Sequence, residues 1–128
     1  MNWLRRLAPQ IYAILRFLTG IMLAMHGTQK LWAWPGGKVA TDPLMIFAGW
    51  VEVVAGVLIA VGFLTTWAAF VASGVMAVAY FWRHASGGFF PIVNKGELAV
   101  AYCWLFLYIA ATGAGIWSVD AARRRTRR

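Results

Sequence analysis

Read along the chain, apolar residues fall into four long blocks separated by short polar punctuation, each near the ~20 residues a helix needs to cross a ~30 Å hydrocarbon layer. The first block opens on Pro9, where a first-turn proline costs no hydrogen bond, and predicts a helix over 9–26, or on to 30. Trp32 and Trp34 mark an interface, and Pro35-Gly36-Gly37-Lys38 a turn. Asp42-Pro43 reads as an N-cap followed by proline at the first helical position, so a second helix runs over 43–64 with Gly62 at its end. The link Phe63-Leu64-Thr65-Thr66 permits only a tight antiparallel hairpin into a third helix over 66–82. A longer loop over 83–93 follows. Asn94, with Glu97 three positions on, predicts a capping-box-like start to a fourth helix over 97–116. Ser118, Asp120 and a basic tail over 121–128 lie just beyond.

This pattern predicts an all-α fold, an integral membrane four-helix bundle that occupies the whole chain as a single domain. Composition agrees, because 62% hydrophobic and 12% charged residues leave too little polar surface to wet a soluble domain. An even number of crossings puts both termini on one side. Arg5, Arg6, Arg123, Arg124, Arg125, Arg127 and Arg128 flank the terminal ends, against Lys30, Lys38, Arg83 and Lys95 on the opposite face, a bias that predicts cytoplasmic termini. The net charge of +8 therefore reads as topology and attraction to anionic lipid head groups, with no nucleic-acid partner expected. No small-x-small cleavage site precedes His26, so the first helix reads as a membrane anchor and not as a cleaved signal. The lone Cys103, in the fourth helix, forms no intrachain disulfide or Cys-x-x-Cys pair and reads as a packing residue.

Candidate chemistry is confined to a few polar residues in expensive places. Arg16 lies in the first helix and Glu52 in the second, at depths that counting from the expected helix ends makes similar. A charge so deep costs several kcal/mol unless paired or wetted, so an Arg16–Glu52 ion pair is expected inside the bundle. Both helices carry small residues beside the charges, Gly20 and Gly27 on one and Ala48 and Gly56 on the other, which favours close helix packing in lipid. The pair would serve equally as a functional site or as an architectural lock.

A second group is expected at the outer end, where His26, Lys30, Arg83, His84, Asn94, Lys95 and Glu97 meet among Trp32, Trp34, Tyr80, Trp82, Phe89 and Phe90. Donors under aromatic walls would suit a quinone-like carbonyl ring or a small anion, although an interfacial aromatic belt and a helix cap would look the same. His26 and His84 on different helices could supply two axial ligands to a haem, but isolated histidines more often make hydrogen bonds, so quinone ranks ahead. No metal site, phosphate loop or nucleophile elbow is visible.

Arg16-Phe-Leu-Thr-Gly20 with His26-Gly-Thr-Gln-Lys30-Leu31, Glu52-Val-Val-Ala-Gly56 with Gly62-Phe-Leu-Thr-Thr, Asn94-Lys-Gly-Glu97-Leu-Ala, and Gly113-Ala-Gly115-Ile-Trp-Ser118-Val-Asp120 together resemble the DoxX family. The resemblance implies a bacterial inner-membrane protein related to the small membrane subunit of thiosulfate:quinone oxidoreductase. A membrane subunit or anchor of a quinone-linked, sulfur-compound redox system, with a soluble or membrane oxidoreductase as partner, is what it implies for function. No catalytic assignment comes with it, and the alternative is a small transporter or a lipid- or small-molecule-binding protein. A homodimer through glycine and alanine faces is a further expectation.

Overall fold

A computed structural model describes residues 1–127, so Arg128 lies outside the described residues. Among them every regular element is helical: α1 (Asn2–Arg6), α2 (Ala8–Trp32), α3 (Pro43–Val61), α4 (Thr65–Ala79), α5 (Pro91–Asn94), α6 (Glu97–Thr112) and α7 (Val119–Thr126). A π-helical turn, Tyr80–His84, and a 3-10 turn, Ala85–Gly87, prolong α4. Three of these segments, α2, α3 and α4 with its extension, are long and apolar enough to cross a bilayer. The apolar α6 has 16 residues, or ~24 Å at 1.5 Å per residue. With α2, α3 and α4 it completes the four long helices of the bundle.

The tightest seam joins α2 to α3. A Cβ added at Gly20 would lie 2.5 Å from the Ala60 nitrogen and 2.7 Å from the Gly56 oxygen. At Gly56 it would lie 2.5 Å from the Ala24 nitrogen. Backbone therefore rests on backbone, the arrangement that small residues permit where lipid removes the hydrophobic drive to associate. The α4–α6 seam is the other close one, with the Ser73 hydroxyl donating to the Cys103 carbonyl at 2.8 Å. The core between the seams is filled by Leu23, Ile59, Met76, Tyr102, Phe106 and Ile109.

Local chemistry sets most of the ends. The Asp42 carboxylate accepts from the Leu44 amide at 2.9 Å, the expected N-cap of α3. Gly62, at φ 72°, closes α3 in the left-handed region, and the chain turns directly into α4. Two expectations need correction. The helix expected to reach 116 stops at Thr112, because Gly113, Gly115 and Trp117 all take positive φ. The capping box at Asn94 does not form: Asn94 ends α5, and its side-chain oxygen accepts from the Gly96 amide at 2.8 Å in a short turn before α6. Both termini lie at the same end of the bundle, since α7 packs on the α3–α4 turn and Tyr12, near the start of α2, reaches the Gly113 carbonyl.

Candidate functional site

The two deep charges expected to pair do not meet. Arg16 is 1% exposed, and its guanidinium donates to the Ile59 and Ala60 carbonyls at 2.6 and 2.7 Å and to the Trp117 carbonyl at 2.9 Å. These carbonyls belong to the last turn of α3, where orphan acceptors and the negative helix end favour a cation, and to the connection between α6 and α7. The register explains the correction. Gly20 faces Gly56 and Ala60, and Gly27 faces Gly49 and Val53. Glu52 thus sits level with His26 and Gly27, about ten residues or ~15 Å from Arg16 along the axis.

Asp120 completes the knot around Arg16. Its carboxylate accepts from the amides of Leu64 and Thr65, each at 3.1 Å, and from the Thr65 hydroxyl at 3.0 Å, while its own amide donates to the Gly62 carbonyl. It caps α4 from a distant part of the chain, at a turn where Leu64 itself has positive φ. Burial pushes the Asp120 carboxyl up, but the Thr65 and Leu64 hydrogen bonds and the nearby Arg124 together hold it below the ordinary carboxylate value. This end of the molecule is built as a clamp.

Glu52 finds its partner in Lys30. The ammonium reaches both carboxylate oxygens at 2.5 Å, with Glu52 2% exposed and the Lys30 side chain 23% exposed. Lys30 stands in the last turn of α2, and its long stem carries the charge back toward the carboxylate a turn deeper. The pair lies on the floor of a pocket of about 340 Å³ between α3 and α4, walled by Ala48, Gly74, Val75 and Val78. Phe47, Val71 and Val78 on its rim are about half exposed or more, so it opens sideways toward the acyl chains. Trp82 and Arg83 stand at its upper end. A lower groove on the same seam, between Val54 and Trp67, has no charged residue in its wall.

The other outer residues divide among separate jobs. His26 lies edge-on to Tyr102, ring centroids 6.2 Å apart, beside Met22, Met25 and Gln29 on a different face of α2. His84 stacks on Tyr80 and contacts the Asn94 carbonyl through Nδ1 at 3.1 Å. Asn94 is buried, donating to the Tyr80 hydroxyl and the Gly88 carbonyl. Glu97 is exposed at the start of α6. The expected cluster is thus resolved into a Lys30 site, a His26 face and a folded Tyr80–His84–Asn94 loop, and His26 and His84 share no partner among the described residues. Arg83, expected in the outer group, does line the pocket, whereas Gly74 carries no signal in the sequence, being one glycine in an apolar run.

Residues 11–85 match the family model of DoxX. The chain belongs to the DoxX family. With its apolar helices, that makes this DoxX protein a multi-pass membrane protein in a lipid bilayer. An uncharacterized protein of Haemophilus influenzae is 42% identical, the alignment covering 94% of this chain and 96% of the relative. No solved structure matches. The DoxX match takes in Arg16, Lys30, Glu52 and Arg83, and it stops before Asn94, Glu97 and the segment 113–120.

Proposed function

We propose that this DoxX protein is a quinone-binding membrane subunit of a redox system in a bacterial inner membrane, with its arginine-rich termini cytoplasmic. The observation that carries the reading is the Lys30–Glu52 pair on the floor of an apolar pocket that opens sideways into lipid. A lysine ammonium has three donors, and Glu52 takes two, which leaves one for a ring carbonyl. The apolar walls suit a flat ring, and the lateral opening gives an isoprenoid tail a way out between α3 and α4. The contact with Glu52 compensates the burial of the Lys30 ammonium, so the donor is in place without a separate desolvation cost on ligand entry. The electrons would come from an oxidoreductase partner, and the sulfur-compound donors of the related systems are the class to try first. The terminal bias of seven basic residues against four supports the orientation.

Gly74 provides a test that spares the fold. It lines the pocket, and a Cβ added there meets nothing within 4 Å. Wild-type protein in nanodiscs should quench saturably with a short-tailed quinone, and Gly74→Leu should weaken that binding tenfold or more. Non-saturable partitioning, identical in both proteins, would sink the reading. Saturable binding of neutral lipids but not of quinone would instead favour the small-molecule carrier.

A further inference from the structure

The cytoplasmic-type end carries a second site, independent of the pocket. α7 holds Arg123, Arg124 and, just past its last residue, Arg127 at i, i+1 and i+4, and together with Asp120 they line a cleft of about 200 Å³. Asp120 is already engaged by Leu64 and Thr65, and the one salt bridge among the described residues is Lys30–Glu52. Among the described residues, the three arginines therefore line the cleft with no carboxylate within salt-bridge distance, and Asp120, the acid beside Arg124, is spent on the Leu64 and Thr65 amides. We propose that this cleft is a headgroup site for an anionic glycerophospholipid, with the phosphodiester held by Arg123, Arg124 and Arg127.

Position favours a lipid over a soluble acidic protein. The Asp120 amide is bonded to the Gly62 carbonyl, so α7 is fixed at the level where α3 ends and α4 begins, the depth of the headgroups. The Arg123 guanidinium lies over the Phe63 ring, 5.3 Å from its centroid, which holds one arm of the cleft against the bundle. Immediately before α7, Trp117 is 67% exposed, an aromatic placed where such rings meet the membrane interface. A phosphate at this level finds guanidinium forks on one side and acyl chains below.

The test is native mass spectrometry of the full chain released from nanodiscs of mixed phosphatidylglycerol and phosphatidylcholine. Wild type should retain phosphatidylglycerol selectively, and an excess of inorganic phosphate should not displace it. Each arginine should contribute about fivefold, the ~1 kcal/mol of a basic residue near an anionic surface. The triple variant Arg123→Gln, Arg124→Gln, Arg127→Gln should lose the selectivity, while Arg5→Gln with Arg6→Gln, which removes charge at the same end, should keep most of it. Equal loss in both variants, or full retention in the triple variant, would overturn the site and return the arginines to a protein partner. Displacement by free phosphate would overturn the lipid assignment. Should the triple variant not fold, wild type alone decides: selectivity that fades with salt supports the site, and no selectivity at low salt removes it.

Discussion

Replacing Gly56 by alanine is the sharpest perturbation of the fold, because Gly74→Ala provides a matched control on the neighbouring helix. Both changes add one methyl to a helix interior, and both gain up to ~1 kcal/mol of helix propensity. At Gly74 the methyl enters open space. At Gly56 it would sit 2.5 Å from the Ala24 nitrogen and 2.6 Å from the Gly20 oxygen, where ordinary contact begins near 3.4 Å. The obstacle is backbone, so relief requires α2 and α3 to part by roughly 1 Å, a gap that forfeits a quarter to a half of the dispersion energy of each contact across the seam. Overpacking of this kind costs about 1–3 kcal/mol even where side chains can yield, and here they cannot. The separation would also stretch the Arg16 bonds to Ile59 and Ala60. Gly56→Ala should therefore lose about 2 kcal/mol or more relative to Gly74→Ala, read as denaturant midpoints in mixed micelles by circular dichroism. Equal shifts for the two variants would refute backbone-on-backbone packing at this seam.

Three further outcomes follow from the clamp and the pocket. Arg16→Met leaves three buried carbonyls without their charged donor and should cost about 3 kcal/mol or more in the same assay, whereas Arg16→Lys should recover part of that loss. Asp120 has a folded pKa below its unfolded value, so its stabilisation is fully present above the ordinary carboxylate value and disappears as pH falls through the depressed one. Acid titration of wild type should show that loss below about pH 4, and Asp120→Asn should start less stable at neutral pH and vary less across the same window. Gly74→Leu should leave the denaturation midpoint at or above that of wild type while weakening binding at the proposed quinone site, separating the pocket from the fold.

How far the sequence could be read depends on the kind of interaction. Asp42 and Gly62 act within a few residues of themselves, and both positions were legible as helix punctuation. The glycine spacing likewise announced a close seam on α2 and α3. The partner of Glu52 was not legible, because depth counted from helix ends ignores the register that Gly20 against Gly56 imposes, and that register moves Arg16 away from the carboxylate. The main-chain carbonyls that receive Arg16 leave no mark in a residue string. Lys30 was placed with the outer group by its backbone position, yet its flexible stem turns the ammonium inward. Asp120 showed only as a residue beyond a helix, since its role as a cap for α4 spans 55 residues of chain. The end of α6 had one readable signal, Gly113 and Gly115 in close succession, which an apolar count carried straight through.

Photolabelling of the reconstituted protein by a short-tailed azidoquinone, with the labelled peptides mapped, shows where a quinone ring comes to rest. Labels should fall on the α3 and α4 walls of the pocket, around Ala48, Val75 and Trp82, protected by excess unlabelled quinone and lost in Gly74→Leu. Labels spread over the lipid-facing helices without protection, or concentrated beside His26, would rule out a quinone site at Lys30 and Glu52.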